Sequence, residues 1–380
     1  MRRHLVVAAV IVSLVGGMAA PAAAATGPGR HHQLQQAADD LHALGITGVQ
    51  GVTRIDGVTT RARAGVGDLA RGTPVPLGGH FRMGSNTKTF VAVVALQLVG
   101  EGRLSLEDTV DHWLPGVVTG NGNDGRHITV RNLLQHTSGL YSYTNDLSGL
   151  ASYEGYLRHR LDHYDAADLV ALAMKHPPNF APGTHWDYSN TNYILAGMII
   201  ERVTGRPWAT EVRDRIVRPL GLRDTSAPGD RATLPNPHAE GYQQWAPDGP
   251  LYDTTLFNTT AADAAGSLVT TPADLARFWQ ALQRGQLLRP RQMAQMHTTV
   301  LAETFQDALP GARYGLGITF LPNRCGGYWG HGGDVPGMST ANAVSPDGDR
   351  VAVLSLTTEL ADSAAVERRT SRFMDDVICG

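Results

Sequence analysis

Lysine is almost absent from this sequence. Of its 32 basic residues, only Lys88 and Lys175 are lysine, and the other basic residues are arginine. Arginine stays protonated in proteins, whereas lysine becomes a proton acceptor when burial lowers its pKa. Lys88 lies at the start of an apolar segment, where a simple surface charge is not expected. We therefore take Lys88 as the first candidate for a chemical role.

Outside the N-terminal segment, no apolar run is long enough to span a bilayer, and blocks of like charge are also missing. The formal net charge is −3, with both signs dispersed, so nothing points to a nucleic acid partner. No phosphate-binding loop and no Gly-x-Ser-x-Gly elbow are present. His159 and His163 have the spacing of a metal-ligand pair, but no third ligand is apparent nearby. We expect no metal, no cofactor, no stable membrane anchor and a monomeric chain.

The N-terminal segment indicates export, and export bears on the two cysteines near the other end of the sequence. Residues 1–25 combine Arg2 and Arg3 with an apolar stretch and a run of alanines, the pattern of a cleaved signal peptide. We predict a secreted, extracellular protein. Its two cysteines, Cys325 and Cys379, have no metal-ligand spacing, and an isolated pair in an exported protein usually forms a disulfide. A free-thiol nucleophile is the alternative.

Strand patterns occur towards both ends of the chain, and helical patterns dominate its middle. Residues 48–55 and 61–66 alternate around the Asp56-Gly57 turn, and further strand patterns follow between residues 315 and 357. We predict an α/β fold with an antiparallel sheet covered by helices on both faces, formed by residues 26–103 and 265–380. An all-helical lobe, residues 104–264, is inserted into it.

Ser85 and Lys88 form the first chemical motif. A spacing of three residues places both side chains on one face of a helix, and a serine hydroxyl needs a nearby base to act as a nucleophile. The competing interpretation is that Ser85 only caps the helix and Lys88 is a surface charge.

Two further motifs contain polar side chains or glycines that suit a catalytic site. Tyr188 and Asn190 precede an apolar helix; Tyr188 is a candidate proton donor or acceptor, and Asn190 a hydrogen-bonding group. His331, Gly332 and Gly333 indicate a strand that a substrate approaches closely. In isolation, a packed aromatic ring, a helix cap and a turn would explain these motifs better than a chemical role.

The three motifs in this order resemble the serine β-lactamase and penicillin-binding protein superfamily. The similarity is to its class C-like branch, and particularly to secreted actinomycete D-alanyl-D-alanine carboxypeptidases. The resemblance implies a β-lactamase/DD-peptidase-like fold and hydrolysis through an acyl-enzyme. The matching residues are Ser85, Lys88, Tyr188, Asn190, His331 and Gly333, with further matching segments at 133–140, 143–146 and 314–317.

The resemblance also implies a role for each residue. Ser85 would attack a carbonyl group, while Lys88 and Tyr188 would move the proton. Asn190 would position the acyl amide, and His331 would assist Tyr188 electrostatically. The backbone N–H groups of Ser85 and Asp334 would form the oxyanion hole. The expected substrate-binding residues are Gly332, Gly333, Asp334 and Thr319.

The departures from the carboxypeptidase pattern concern the substrate. Thr319 replaces an arginine that would hold a terminal carboxylate, and Gly332 and Asp334 replace threonines. These exchanges weaken attraction for a free carboxylate and suit a blocked, neutral or cationic leaving group.

Four functions remain open from the sequence. The leading prediction is a D-alanyl-D-alanine carboxypeptidase or transpeptidase acting on peptidoglycan-stem peptides, with β-lactams as suicide substrates. The alternatives within the superfamily are an esterase or D-stereospecific amidopeptidase, and a class C-like β-lactamase. From a different class, the chain could bind β-lactams or stem peptides without turnover.

Overall fold

The computed structural model describes residues 27–380, so the predicted signal peptide lies outside the described residues. The α-helices of the described part are Gly27–Ala43 (α1), Asn86–Gly100 (α2), Val110–Trp113 (α3), Val130–Gln135 (α4), Tyr153–His159 (α5), Ala166–Ala173 (α6), Thr191–Thr204 (α7), Trp208–Val212 (α8), Arg218–Leu220 (α9), Asp263–Gly266 (α10), Pro272–Gln283 (α11), Pro290–Met296 (α12) and Ala364–Cys379 (α13). The strands are Gly48–Ile55 (β1), Val58–Asp68 (β2), Thr73–Pro74 (β3), Phe81–Arg82 (β4), Thr119–Gly120 (β5), Asn123–Asp124 (β6), Tyr242–Gln243 (β7), Tyr252–Asp253 (β8), Val269–Thr270 (β9), Val300–Leu301 (β10), Arg313–Tyr314 (β11), Thr319–Leu321 (β12), Tyr328–Gly330 (β13), Gly333–Val335 (β14), Met338–Val344 (β15), Arg350–Leu356 (β16) and Thr358–Glu359 (β17).

The main sheet is antiparallel and joins the two ends of the chain. Its order is β10-β11-β12-β13-β15-β16-β1-β2-β3, and β14 pairs separately with β15. Asp56 and Gly57 both have positive φ, which is the backbone that a two-residue hairpin turn between β1 and β2 requires. The predicted fold class is therefore confirmed.

Helices cover both faces of this sheet because side chains alternate along its strands. On β16, Ala352 and Leu354 belong to an apolar cluster with α1 and α13. Val351 and Val353 point the other way, into the large core that contains α2, α7 and α11. The helix that begins at Ser85 is thus buried between the sheet and the helices of the middle segment.

Helices dominate the regular structure of residues 104–264, but this segment is not all-helical as predicted, because it also contains the short strands β5, β6, β7 and β8. Helix α8 continues directly into a π-helical turn at Arg213–Val217. In addition, β7 pairs in parallel with β17, so this part of residues 104–264 contacts the C-terminal end of the sheet. The exact limits of the helical lobe stay a prediction.

A disulfide joins Cys325 to Cys379, as predicted, with their Cα atoms 5.5 Å apart. It fastens the end of α13 to the loop before β13. Within residues 27–380, no helix is both long and apolar enough to cross a membrane. The same part of the chain contains no cluster of three or more histidine, cysteine or acidic residues suited to a metal ion.

Candidate active site

Ser85 occupies the N-cap position of α2, but its side chain makes no capping hydrogen bond. The hydroxyl is half-buried and lies beside Lys88, one helical turn further on, whose side chain is 0 % exposed. Nearly all of α2 is buried, including its polar first turn, because the apolar residues that follow pack into the large core. The capping interpretation of Ser85 is therefore wrong, and its hydroxyl is available for chemistry.

The Lys88 ammonium group has three oxygen acceptors. Nζ donates to Ser85 Oγ at 2.9 Å, to Asn190 Oδ1 at 2.7 Å and to the Ala265 carbonyl at 2.8 Å. Burial lowers the pKa of Lys88 well below its usual range, and the Asp334 charge only partly opposes this shift. Among the described residues, no carboxylate lies at ion-pair distance from Nζ. A neutral amine in this position can accept the Ser85 proton.

Asn190 links the two halves of the site. It stands at the N-cap of α7 without making a side-chain capping bond, so the helix-cap interpretation is wrong as well. While its Oδ1 accepts from Lys88, its Nδ2 donates to Thr144 Oγ1 at 3.3 Å. Its backbone N–H donates to Ser142 Oγ at 3.1 Å. These contacts hold the amide against the lysine.

Tyr188 lies over the same lysine, with its ring centre 4.8 Å from Nζ. His136 packs against the Tyr188 ring with a centroid separation of 4.3 Å. Burial raises the pKa of Tyr188, and a hydrogen bond with Ser85 partly opposes that shift. The phenol is therefore protonated at neutral pH and in contact with the candidate nucleophile.

His331 is hydrogen-bonded to Tyr314, and its ring centroid lies 6.3 Å from that of Tyr188. Its Nδ1 bonds the Gly332 carbonyl at 2.7 Å, so the proton lies on Nδ1, and Nε2 accepts from the Tyr314 hydroxyl at 2.8 Å. Burial and the Lys88 charge lower the pKa of His331 to about 3. The ring is neutral, and the expected electrostatic assistance to Tyr188 stays a prediction.

Two glycines bring β14 against the start of α2. A Cβ on Gly333 would lie 2.1 Å from the Met83 carbonyl oxygen and 2.9 Å from Ser85 N. Gly84 has a φ of +51°, and a Cβ there would lie 2.6 Å from Asp334 N. Glycine at both positions lets the backbone of β14 approach the start of α2, as an oxyanion hole formed by the Ser85 and Asp334 N–H groups requires, and that role stays a prediction.

An asparagine pair fixes this contact from behind. Asn342 on β15 donates to Asn86 Oδ1 at 2.6 Å and to the His331 carbonyl at 2.7 Å. It also accepts from the His331 N–H at 3.1 Å. The sheet and α2 are thus tied together through buried amide groups.

A cavity of about 620 Å³ opens beside Ser85 and Tyr188. Of the four residues predicted to bind substrate, Thr319, Gly332 and Asp334 line this cavity, while Gly333 lies behind them against Met83. Their binding role stays a prediction. No lysine or arginine is among its lining residues in the described chain. Its ionisable lining side chains are Tyr188, Tyr328, His331, Asp334, Glu359 and Glu367.

The structure brings the predicted site residues together around Ser85. Sequence reasoning missed the Ala265 carbonyl, Asn342, Glu359 and Glu367. These groups lie far from the motifs along the chain, and a single carbonyl, amide or glutamate has no spacing pattern that would identify it.

Comparisons with known proteins agree with this geometry. The sequence model of the Beta-lactamase family matches residues 34–373. A putative penicillin-binding protein, PbpX, from Bacillus subtilis (strain 168) is 26% identical over 324 residues, 84% of this chain and 73% of that protein. The crystal structure of a D-stereospecific amidohydrolase from Streptomyces sp. is 40% identical with a TM-score of 0.83, covering 89% of this chain and 98% of that one. D-amino acid amidase from Ochrobactrum anthropi SV3, complexed with D-phenylalanine, is 27% identical with a TM-score of 0.78, covering 91% and 98%.

Proposed function

This chain belongs to the beta-lactamase family of serine hydrolases, and we propose that it hydrolyses amides and esters of D-amino acids through an acyl-enzyme on Ser85. One observation carries this choice within the family. The cavity beside Ser85 has no lysine or arginine among its described lining residues, whereas three carboxyl side chains line it. Such a cavity suits a substrate without a free terminal carboxylate.

The first step uses groups that are already in contact. Neutral Lys88 accepts the Ser85 proton as Oγ attacks the substrate carbonyl carbon. The negative charge that develops on the carbonyl oxygen is stabilised by the N–H groups of Ser85 and Asp334. Asn190 keeps Lys88 in place through the 2.7 Å hydrogen bond.

The second step releases the leaving group and then the acid. Tyr188 donates a proton to the leaving nitrogen or oxygen and is reprotonated from Lys88, which lies below its ring. A water molecule then attacks the acyl carbon while Lys88 and Tyr188 accept its proton. The bond between the acyl carbon and Ser85 Oγ breaks, and the same groups return a proton to Oγ. The products are a D-amino acid and an amine or alcohol.

The carboxypeptidase prediction from the sequence is less favoured by this cavity. A C-terminal D-alanine carries a carboxylate, and the described cavity offers no basic side chain to pair with it. Asp334, Glu359 and Glu367 would repel that carboxylate. The names of the Streptomyces and Ochrobactrum structures support D-amino acid derivatives as the substrate class.

The test is a panel of amides incubated with the purified protein. It contains D-phenylalanine amide, L-phenylalanine amide, diacylated Lys-D-Ala-D-Ala and the C-terminal amide of that peptide. We expect hydrolysis of D-phenylalanine amide, much slower hydrolysis of its L enantiomer, and preference for the peptide amide over the free acid. Preference for the free acid would instead establish a D-alanyl-D-alanine carboxypeptidase.

Two further expectations accompany this function. We expect a fluorescent penicillin to acylate Ser85, because the proposed acylation step attacks any suitably placed carbonyl group. We also propose export of the protein, which the disulfide supports because such bonds persist in oxidising compartments. Recovery of the protein in culture medium with a new N-terminus near residue 26 tests the second expectation.

A further inference from the structure

Three acidic side chains from separate elements share the cavity with Ser85. They are Asp334 on β14, Glu359 on β17 and Glu367 in the first turn of α13. Asp334 accepts a hydrogen bond from Ser339 Oγ at 2.7 Å, and its carboxyl group is also hydrogen-bonded to Glu359. Ser339 pairs with Asp334 across β14 and β15, so both side chains lie on the same face.

The Lys88 charge acts on this cluster only weakly, as the smallest of the influences on the pKa of Asp334. Asp334, Glu359 and Glu367 form no ion pair within residues 27–380, and no arginine or lysine lines the cavity there. Burial and the Asp334 charge raise the pKa of Glu359 to about 9. The Asp334–Glu359 pair therefore shares a proton at neutral pH until a cation replaces it.

Two buried hydroxyl groups in the same cavity also lack partners. Thr370 is 8 % exposed and lies one turn after Glu367, on the face of α13 that lines the cavity. Thr340 is 2 % exposed and follows Ser339 on β15. Neither Oγ1 atom has a hydrogen-bond partner among the described residues. Buried hydroxyl groups are normally satisfied, so these two point to a polar ligand in the cavity.

We propose that Asp334 and Glu359 bind the protonated α-amino group of a D-aminoacyl substrate, with Glu367 adding attraction at the mouth of the pocket. This inference rests on the proposed function and specifies its acyl side. A cationic nitrogen with three N–H donors matches two adjacent carboxyl groups. A metal ion is a poorer match, because the described residues include no metal-ligand cluster.

The position of Asp334 argues for the α-amino group in particular. Its backbone N–H lies beside Ser85 N, where it would contact the substrate carbonyl oxygen at about 3 Å. The α-nitrogen of the substrate is only two bonds from that carbonyl carbon. The short aspartate side chain on the same residue therefore reaches the α-ammonium group, while a cation further along the substrate would lie beyond it.

The test compares two esters that have the same leaving group. They are the 4-nitrophenyl esters of D-phenylalanine and of 3-phenylpropionic acid, which lacks the amino group. The measured quantity is the ratio of kcat/KM for the first ester to that for the second. We expect Asp334→Asn and Glu359→Gln each to lower this ratio about 10- to 100-fold, mainly through KM for the D-phenylalanine ester.

A matched control removes a negative charge from α13 outside the cavity. Asp376→Asn affects a carboxylate that pairs with Arg324 at 3.5 Å. We expect this variant to retain the wild-type ratio. Because Asp334 also supplies a backbone N–H beside the nucleophile, Glu359→Gln decides the question if Asp334→Asn fails to fold.

The outcomes separate the inference from the proposed function. An unchanged ratio in Glu359→Gln, or an equal loss in Asp376→Asn, would overturn the inference, although hydrolysis of the D-phenylalanine ester would leave the proposed function standing. If the wild-type protein hydrolysed neither of the two esters, both the inference and the proposed function would be overturned. A selective loss of the D-phenylalanine ester in the cavity variants supports the inference.

Discussion

At the scale of single residues, the chemistry depends on what burial does to Lys88. The side chain is 0 % exposed and its three hydrogen bonds all go to uncharged groups. The ammonium form loses its hydration without gaining a paired carboxylate, so the neutral form is favoured. An exposed lysine at the same spacing from Ser85 would remain protonated and could not act as a base.

The first prediction concerns the exchange of that lysine. Lys88→Arg should lower kcat/KM for D-phenylalanine amide about 10²- to 10⁴-fold, because a guanidinium group stays protonated. Lys175→Arg is the control, since Lys175 is exposed on the surface. The measurement is steady-state hydrolysis of the amide. Comparable losses in both variants would contradict the role of Lys88.

The pH dependence of the wild-type protein follows from the same shift. Because the Lys88 pKa is lowered by burial, the neutral amine persists to a pH below the usual range for lysine. Activity should fall as the pH decreases through that lowered pKa, since protonation removes the base. A kcat/KM profile against pH measures this acid limb. Activity that increased only above pH 10 would show an unperturbed lysine.

The raised pKa of Glu359 predicts how the stability of the protein depends on pH. The folded protein keeps Glu359 protonated up to about pH 9, whereas the unfolded chain ionises it near pH 4.3. Between these values the folded state binds more protons, so this group lowers stability as the pH rises. The charged groups that act on it are Asp334 and Glu367.

Glu359→Gln should therefore raise the Tm at pH 8 and have little effect near pH 4. Thermal unfolding of the variant and the wild-type protein at both pH values is the measurement. We expect Glu359→Gln to combine a higher Tm with a lower kcat/KM for the D-phenylalanine ester. This combination is typical of a group that binds substrate and destabilises the folded protein. A lower Tm at pH 8 would contradict a raised Glu359 pKa.

At the scale of elements, the site depends on the close approach of β14 to the start of α2. Gly333→Ala would place a Cβ 2.1 Å from the Met83 carbonyl oxygen, so backbone must move. Overpacking of this kind costs about 1–3 kcal/mol. We expect a lower Tm together with at least a roughly tenfold loss of kcat/KM, because the two N–H donors separate.

Gly332→Ala is the matched control for stability. A Cβ there would meet only the Thr340 carbonyl oxygen, at 3.7 Å, which is an ordinary contact. Its Tm should stay close to that of the wild-type protein in the same scan. If Gly333→Ala and Gly332→Ala lowered the Tm equally, the close contact between β14 and α2 would not be the cause of the lost stability.

Elements with strong local signals could be predicted from the sequence. The Asp56-Gly57 turn predicts its hairpin because both residues adopt positive φ. Gly84 and Gly100 mark the limits of α2, and the Ser85–Lys88 spacing follows from the helix itself. The π-helical turn at Arg213–Val217 could not be predicted, because helical periodicity alone does not distinguish it from an ordinary helix.

Groups that meet only through tertiary packing could not be predicted. Asn342 reaches Asn86 across 256 positions of the chain, and Glu359 reaches Asp334 from a different strand. Neither contact leaves a periodic pattern, and a lone asparagine or glutamate is usually exposed. The nucleophile was therefore identifiable from the sequence, but the chemistry of the pocket around it was not.

At the scale of the whole molecule, the disulfide fastens the last helix to the sheet. α13 covers one face of the sheet and supplies Glu367 to the cavity. The Cys325–Cys379 bond closes a loop with a sequence separation of 54 residues. It connects the C-terminal end of this helix to the loop before β13.

Loss of the disulfide should therefore lower the free energy of unfolding but have little effect on the rate of hydrolysis. Cys325→Ala combined with Cys379→Ala should reduce the free energy of unfolding by about 2–4 kcal/mol in denaturant. kcat for D-phenylalanine amide should stay within about twofold, because Cys379 lies beyond Met374, the last residue of α13 that lines the cavity. Full loss of activity in a folded variant would show that the helix position depends on the bond.

The central claim is that a D-aminoacyl group is transferred to Ser85. The most direct measurement is rapid acid quenching of the protein with D-phenylalanine methyl ester, followed by mass analysis of its peptides. We predict one D-phenylalanyl group on the peptide that contains Ser85, and none in Ser85→Ala, which should also lack turnover. Turnover by Ser85→Ala, or wild-type turnover with the acyl group on a different residue, would contradict the account.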